Sequence, residues 1–226
     1  MIRISKIYEP NNYHFVTEYL DNPYIEKTIA YSCKTDHNRK LIRMGRMEVY
    51  LRNGEQYAFE SWVTGSYCAQ FGIQVSLDGR YIYVISDEKG LWCYTYKGEL
   101  LWKTRYTSVS YVFPHWNNQI TCVTSTKLMI LGHTGEIIKQ VPLYREGTCK
   151  PASQQVIVGN ISETVIALFD VFSLEMICKF SLKKLGLRNF FCVNLFEDTL
   201  AIDGNSPNWE PITVKVNLKD ELSIIR

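Results

Sequence analysis

Short runs of apolar residues, separated by turn residues, follow one another along the whole chain. The clearest run is Tyr81 to Ser86, in which Tyr, Ile and Val occupy consecutive positions rather than alternate ones. A strand has this pattern when both of its faces are buried. Turn residues precede it at Asp78-Gly79-Arg80 and follow it at Asp87 to Gly90, so we expect a hairpin on each side. No segment has apolar residues at helical spacing over about 11 positions with a cap at each end. The pattern therefore predicts an all-β protein.

A turn containing Gly-Glu, followed by an apolar strand, recurs along the sequence. It stands at Asn53-Gly54-Glu55, Lys97-Gly98-Glu99 and Thr134-Gly135-Glu136, with weaker copies at Ser173-Leu174-Glu175 and Lys219-Asp220-Glu221. The three glycines are 44 and 37 residues apart, and Leu174 follows Gly135 by 39 residues. Glycine suits a tight hairpin turn because it tolerates a positive φ. A period near 40 with four short strands in each repeat is typical of β-propeller blades.

We therefore predict an all-β fold, a single small β-propeller domain over residues 1–226 with about five four-stranded antiparallel blades. The blades are expected over residues 9–61, 62–105, 106–143, 144–182 and 183–226, with a strand from Ile2 to Tyr8 added where the ring closes. In the last blade the expected strands are Asn189 to Asn194, Thr199 to Asp203, Ile212 to Val216 and Glu221 to Ile225. A β-sandwich of irregular hairpins is the alternative.

Two segments resemble known propeller repeats. Val75-Ser76-Leu77-Asp78-Gly79-Arg80-Tyr81-Ile82-Tyr83-Val84 resembles the Ser-Pro-Asp-Gly-x-x-Ile-Tyr-Val segment of bacterial WD-repeat-like propellers. Gly98-Glu99-Leu100-Leu101-Trp102 is similar to the Gly-x-x-x-Trp blade ending of pyrroloquinoline-quinone-type propellers. Leu77 stands where the first pattern has Pro, and the blade-ending Trp is not repeated at Lys139 or Cys178. The resemblance implies the fold, but it does not imply a quinone, and we expect no cofactor.

Composition and charge exclude several classes of protein. The 226 residues are 46% hydrophobic and 21% charged, which is typical of a globular chain rather than a disordered one. The formal net charge of +2 predicts neither a nucleic-acid partner nor an anionic membrane. The N-terminal segment has the alternation of a strand and lacks the apolar core of a signal peptide. The seven cysteines contain no Cys-x-x-Cys pair, so we expect buried reduced thiols and a cytoplasmic protein.

Candidate catalytic groups are sparse. A glycosidase on a five-bladed propeller needs paired acids facing the central channel, and Glu18 is the only acid on the predicted innermost strands. Four other acids fall near turns between second and third strands, where solvated hairpin caps are usual: Asp36, Asp87, Glu163 and Asp203. The histidines lack ligand spacing, and we expect no metal site: His14, His37, His115 and His133. A carbohydrate-active or lactone-cleaving hydrolase is therefore the alternative function rather than the leading one.

The connecting loops carry the residue types that anchor protein interfaces. Aromatic side chains and Arg bury large areas at a small entropic cost. The predicted partner-binding residues are Trp62, Tyr67, Tyr106, Tyr111, Tyr144 and Arg145, with a basic rim at Arg39, Lys40 and Arg43. Two alternatives stay open, because the rings also suit wedges between blades and the basic segment from Arg39 to Arg46 also suits a solvated loop.

The leading hypothesis is a non-enzymatic protein-binding module that acts through loops on one propeller face and is monomeric alone. Its partner is expected to be another protein rather than nucleic acid or a membrane. A narrower hypothesis, by analogy with other small propellers, is an immunity-type inhibitor of a toxin.

Overall fold

The structure, a computed structural model, describes residues 2–9, 12–32, 44–62, 73–86, 90–104 and 109–219. Side chains are described from residue 16 onward within these ranges, except at positions 32, 44, 62 and 86. In this part of the chain, strands form five sheets in which sequential strands are neighbours.

The first two sheets are built from nine strands. The first has the order β1-β2-β3-β4-β5, with β1 (Ile2–Glu9), β2 (Asn12–Tyr19), β3 (Ile25–Ser32), β4 (Met44–Leu51) and β5 (Gln56–Trp62). The second has the order β6-β7-β8-β9, with β6 (Ile73–Val75), β7 (Tyr81–Ser86), β8 (Gly90–Thr95) and β9 (Leu100–Lys103).

The remaining three sheets follow the same up-and-down order. The third has β10 (Val109–Pro114), β11 (Ile120–Thr124), β12 (Lys127–Leu131) and β13 (Ile137–Pro142). The fourth has β14 (Cys149–Pro151), β15 (Val156–Ser162), β16 (Val165–Asp170) and β17 (Met176–Ser181). The fifth has β18 (Asn189–Phe196), β19 (Thr199–Asn205) and β20 (Pro211–Asn217).

The predicted fold class is confirmed: the chain is all-β, with antiparallel sheets of the β-propeller type. Two details differ from the expectation. The N-terminal strand β1 pairs with β2 inside the first sheet, from Ile2 opposite Tyr19 to Glu9 opposite Asn12. The last sheet has three described strands, and the fourth one predicted, Glu221 to Ile225, lies outside the described residues.

Contacts between residues divide the chain into two compact units. The first comprises Met1–Thr124 with Leu131–Ile137, and the second comprises Ser125–Ile130 with Ile138–Arg226. Each unit has its own apolar cluster. In the first unit this cluster includes the buried side chains of Ile25, Met47 and Ile82. In the second unit, the cluster lies between the fourth and fifth sheets and includes Leu168, Leu200 and Ile202.

Burial differs between the middle sheets and the last one. All five residues of β11 are buried, as are the first five of β15, so both faces of these strands are covered. In β19 the burial alternates, with Leu200, Ile202 and Gly204 buried and the residues between them only partly so. Among the described residues, the last sheet therefore buries one face in the core of the second unit and leaves the other face less buried, a common pattern for antiparallel sheets.

The recurring turns have one hydrogen-bond pattern. At the third of them, the Gly132 N–H donates to the Glu136 carbonyl at 2.9 Å, and the Gly135 N–H donates to the Gly132 carbonyl at 3.0 Å. Gly54, Gly98 and Gly135 all have φ between 81° and 91°, the left-handed region in which glycine is least strained. The weaker copy at Leu174 has a φ of 53° in a turn one residue longer. The repeat predicted from these four turns is thus a structural repeat.

Two of these glycines also allow close packing between neighbouring sheets. A Cβ atom on Gly98 would come within 2.5 Å of Phe59, which lies on the last strand of the first sheet. One on Gly135 would come within 2.8 Å of Trp102, on the last strand of the second sheet. At Gly54 in the first sheet, no atom of the described residues other than its two chain neighbours lies within 4 Å of the Cβ position. The positive φ therefore favours glycine at all three turns. At Gly98 and Gly135, the close approach of the neighbouring sheet also excludes a larger residue.

The blade-ending Trp has a functional equivalent in the next repeat. The Trp102 Nε1–H donates to the His133 carbonyl at 2.7 Å, which ties β9 to the following turn. Lys139 stands at the corresponding position of β13, and its ammonium donates to the Ser173 carbonyl at 2.8 Å. The third sheet thus lacks the Trp, but a lysine at the same position makes the equivalent hydrogen bond to the next turn.

The cysteine prediction is correct only in part. Cys93, Cys122 and Cys178 are buried free thiols, whereas Cys149 is partly buried and Cys192 is exposed on the open side of β18. The remaining two, Cys33 and Cys68, lie outside the described residues.

Candidate functional site

The predicted partner-binding residues fall in different parts of the chain. Tyr144 and Arg145 lie in the loop between β13 and β14 in the second unit, the tyrosine half-buried and the arginine exposed. Tyr111 lies within β10 in the first unit, so its placement in a connecting loop was wrong. Trp62 is likewise the last residue of β5 rather than a loop residue, and its side chain is not described. The others lie outside the described residues: Arg39, Lys40, Arg43, Tyr67 and Tyr106.

In the second unit, four connections meet at one end of the fourth and fifth sheets. They are the loops at 143–148 and 182–188 and the turns at 163–164 and 206–210. The strands run alternately up and down, so the loop that enters a sheet, the turn between its second and third strands and the loop that leaves it share one end. We call the surface formed by these four connections the loop face.

Backbone hydrogen bonds hold the connections of the loop face together. The Tyr144 N–H donates to the Asn160 carbonyl at 2.8 Å, and the Leu182 N–H donates to the Thr164 carbonyl at 2.9 Å. At the other end of the second loop, the Arg188 N–H donates to the Asn205 carbonyl at 2.8 Å. The loop face is therefore anchored to three neighbouring strand ends and is preorganised for binding.

Trp209 is the most unusual residue of the loop face. Its turn has the hydrogen bonds of the Gly-Glu turns, from the Ser206 N–H to the Glu210 carbonyl at 2.8 Å and from the Trp209 N–H to the Ser206 carbonyl at 3.0 Å. Trp209 takes the position of the glycine with a φ of 66°, and 59% of its surface is exposed. A left-handed backbone at a bulky residue costs about 1–2 kcal/mol. Glycine at this position would avoid the strain, and the indole leaves most of its surface in solvent.

One cationic side chain packs on this tryptophan, and others lie elsewhere on the loop face. The Arg188 guanidinium carbon lies 4.1 Å from the centroid of the Trp209 ring, a cation–π contact that orients the indole. Lys183 and Lys184 are exposed in the same loop, which contains no acid, and Arg145 is exposed in the neighbouring one. The positive rim expected at Arg39, Lys40 and Arg43 thus has a counterpart within the described part of the second unit.

A second polar cluster lies on the first sheet, in the first unit. The carboxylate of Glu48 accepts hydrogen bonds from the hydroxyls of Tyr31 at 2.9 Å and Tyr50 at 2.8 Å, and forms an ion pair with Arg46 at 2.8 Å. Lys27 Nζ lies 4.6 Å from the centroid of the Tyr50 ring. Arg46, the last residue of the predicted basic segment, is therefore paired with an acid inside a sheet rather than free in a loop.

Glu48 is a buried residue, and the neighbours of its carboxylate keep it charged. Burial alone would raise its pKa, but the hydrogen bonds from Tyr50 and Tyr31 and the Arg46 guanidinium outweigh that effect, so the net shift of the pKa is downward. Burial and the hydrogen bond to Glu48 raise the pKa of Tyr31 to about 12, so this phenol stays a donor at neutral pH. The cluster is internally satisfied, which favours a role in positioning and stability.

Other chemical candidates are limited in the described part of the chain. No group of three or more His, Cys, Asp or Glu could hold a metal ion there. His115 is buried, with Nε2 2.9 Å from the Thr121 hydroxyl, and His133 is exposed. Of the turn acids, Asp203 accepts a hydrogen bond from the Thr213 hydroxyl at 2.6 Å, and Glu163 is exposed. No helix among the described residues is long and apolar enough to cross a membrane.

Trp209 and the Glu48 cluster were not identified from the sequence, although each left a signal in it. Glu210 follows Trp209 as Glu follows glycine in the other turns, but the missing glycine hides the repeat. Arg46, Glu48 and Tyr50 stand at alternate positions of one strand and so share a face.

Comparisons with known proteins bear on the fold. No family model matches the chain, and no curated protein matches it. Among solved structures, the chain is similar to BamB from Moraxella catarrhalis, with 10% identity and a TM-score of 0.57 over 97% of this chain and 62% of that one. It is also similar to the β-propeller domain of Cps50 (Swd1) from Myceliophteria thermophila, with 11% identity and a TM-score of 0.51 over 89% of this chain and 64% of that one. The chain thus spans less than two thirds of either structure. The resemblance to pyrroloquinoline-quinone-type propellers is not confirmed, and the comparisons establish a β-propeller fold.

Proposed function

We propose that this chain is a non-enzymatic protein-binding module and that the loop face of the second unit is its binding surface. The observation that carries the proposal is Trp209, an exposed indole held at a backbone conformation that costs energy. Backbone strain of this kind is found mainly at functional sites, where the strained conformation places a side chain that the function needs. An exposed Trp beside an Arg is also the pair of residue types most enriched at binding hot spots.

The residues around Trp209 favour a protein partner over a small substrate. Arg188 and Arg145 are both exposed, and Tyr144, which precedes Arg145 in the sequence, is half-buried. Exposed Trp, Tyr and Arg side chains are typical of protein–protein interfaces, which are broad surfaces rather than pockets that enclose a reacting group. A glycosidase would require two acids placed on either side of the scissile bond. One of the predicted candidate acids, Asp203, accepts a hydrogen bond from Thr213 instead.

The proposal is tested by comparing partner capture with two matched variants. Trp209→Ala removes the indole of the loop face, whereas Trp116→Ala removes one that is 84% exposed in the turn between β10 and β11. A protein from native lysate that is retained by the wild type and by Trp116→Ala, but lost with Trp209→Ala, is the expected partner. Purified, that partner should bind Trp209→Ala about 30-fold more weakly, because truncation of a hot-spot Trp costs about 2 kcal/mol or more.

The proposal fails if every retained protein binds Trp209→Ala as tightly as it binds the wild type. The narrower hypothesis, an immunity-type inhibitor, stays a prediction, and the identity of the captured partner decides it. The cytoplasmic location and the monomeric state also stay predictions.

A further inference from the structure

A surface depression lies beside the loop face in the second unit. It is formed by the loop-face ends of β15, β16 and β17 and by the 182–188 loop, and its volume is about 490 Å³. Eight residues line it: Ile161, Ser162, Val165, Lys179, Phe180, Ser181, Lys184 and Leu185. This volume falls within the range of about 300–1,000 Å³ that is typical of ligand sites.

The lining carries two lysines among apolar and neutral polar side chains, and one exposed acid, Glu163, lies in the turn between Ser162 and Val165. Lys179 and Lys184 are both exposed, and none of the eight lining residues is acidic. The partly buried side chains of Ile161, Val165 and Leu185 supply the apolar surface. A ligand complementary to the two lysines and the apolar side chains therefore carries an apolar group together with negative charge.

The wall contributed by the 182–188 loop is fixed rather than adaptable. The Leu185 N–H donates to the Ser181 carbonyl at 3.2 Å, and the Leu187 N–H donates to the Leu182 carbonyl at 2.8 Å. Gly186 permits the sharp turn between them with a φ of 70°. A preorganised wall lowers the entropic cost of binding.

The same loop connects the depression to Trp209. Lys184 lines the depression, and Arg188, four residues later, packs on the Trp209 ring. Four residues of chain span at most about 14 Å, a distance that an extended peptide covers in four or five residues. One short segment of a partner is therefore long enough to reach both features.

We propose that the depression binds an extended segment of the partner protein in which acidic residues flank one large apolar side chain. The apolar side chain enters the depression, and the carboxylates pair with Lys179 and Lys184. This inference rests on the proposed function, since it names the chemistry of the partner that the loop face recognises.

The test uses a fluorescein-labelled heptapeptide of glutamates with one central leucine, and fluorescence anisotropy at low salt. We expect binding to weaken about tenfold when the leucine is replaced by serine and to vanish when the glutamates are replaced by lysines. Lys184→Glu should weaken binding of the leucine peptide at least about tenfold, because one attractive contact becomes repulsive. Lys215→Glu, the same charge change on an exposed lysine of β20, should leave binding within about twofold.

An amide chemical-shift map of the wild-type protein with the same peptide requires no variant to fold. The amides of Ser162, Val165, Ser181 and Leu185 should shift with increasing peptide. The proposal is overturned if these amides do not move, or if the serine peptide binds as well as the leucine peptide. Equal displacement of the peptide by octanoate would also overturn it, since the depression would then recognise any apolar carboxylate rather than a peptide.

The two proposals fail in different ways. If the captured partner loses affinity for Trp209→Ala but the glutamate–leucine peptide does not bind, the loop face is a binding surface and the depression is not part of it. If the peptide binds at the depression but no captured protein depends on Trp209, the binding function proposed for Trp209 is wrong and the depression stands alone as a peptide site.

Discussion

Glu48 shows how a single buried carboxylate depends on its immediate neighbours. Three donors reach it from two adjacent strands, and charge-assisted hydrogen bonds of this kind are about twice as strong as neutral ones. Its pKa is lowered on balance, so the folded state holds the charged form more strongly than the unfolded state does. The stability that results is present above the unfolded pKa of about 4.3 and is lost as the pH falls through the folded value.

Glu48→Gln should therefore lower the free energy of unfolding at neutral pH by about 1–3 kcal/mol, because the Tyr and Arg donors lose a charged acceptor. It should also flatten the fall in stability between about pH 5 and about pH 3, since the group that titrates there is gone. Urea unfolding at several pH values measures both effects. Glu26→Gln, at an exposed position on the same sheet, is the control and should change neither.

The positive φ of Trp209 strains the backbone, and glycine at the same turn position would avoid that strain. Trp209→Gly and Trp209→Ala both delete the indole and its contact with Arg188, but only the alanine keeps the left-handed strain. We expect the glycine variant to be more stable than the alanine variant by about 1 kcal/mol. At Trp116, which does not have a positive φ, the same pair should show the opposite order, because glycine there adds only unfolded-state entropy.

Urea denaturation of the four variants measures these differences. An alanine variant at 209 that equals or exceeds the glycine variant would show that the turn is not strained, and it would remove the main support for a binding role of Trp209.

At the scale of elements, the recurring turns join neighbouring sheets as well as neighbouring strands. Gly98 and Gly135 lie against aromatic rings of the preceding sheet, and Trp102 and Lys139 donate hydrogen bonds to the following turn. The last strand of one sheet is thus joined to a turn of the next sheet by packing, by a hydrogen bond or by both. Such ties suit repeat folds, in which stability comes from interfaces between successive units.

The two roles of glycine are separated by comparing Gly54→Ala with Gly98→Ala. The first should cost about 1–2 kcal/mol from the positive φ alone, because no atom lies near the added Cβ. The second should cost at least about 1 kcal/mol more, since the Cβ overlaps Phe59. Thermal or urea unfolding measures both. Phe59→Gly removes every side-chain atom that the added Cβ would meet. Combined with Gly98→Ala it should therefore cost less than the sum of the two single changes, and strict additivity would contradict the proposed contact.

At the scale of the whole molecule, the net charge of +2 conceals an uneven distribution. The 182–188 loop carries Lys183, Lys184 and Arg188 without an acid. The other connections of the loop face carry charges of both signs, which are Arg145, Glu146, Glu163 and Glu210. A local positive field such as that of the 182–188 loop steers an acidic partner over roughly the Debye length, about 10 Å at 0.1 M salt.

The association rate of the captured partner should therefore fall about tenfold between about 20 and about 200 mM NaCl, with a smaller change in the dissociation rate. Lys183→Glu should reduce the association rate and its salt dependence, whereas Lys215→Glu, with an equal change in net charge, should reduce them less. Surface plasmon resonance at several salt concentrations measures both rates. An association rate that does not vary with salt would contradict the acidic character proposed for the partner.

The prediction from sequence was most accurate where the cause is local. Tyr81 to Ser86 was predicted as a fully buried strand, and β7 has the same bounds, with Ile82 to Ile85 buried. Leu174 was recognised as a degenerate turn, and it has a positive φ. Prediction was weakest for the site, because Tyr111 was assigned to a loop on residue type alone and Trp209 was hidden by the absence of glycine.

By itself, the sequence determined the all-β class, the succession of sheets and the positions of the turns. Apolar runs, their spacing and the need for a positive φ act within a few residues, so they can be recognised without knowing the neighbours. The tertiary structure decided which face of the last sheet stays open, why Gly98 differs from Gly54, and how Trp209 comes to stand beside Arg188. These properties arise from contacts between residues that are distant in the chain, and no local pattern specifies which surfaces will cover one another.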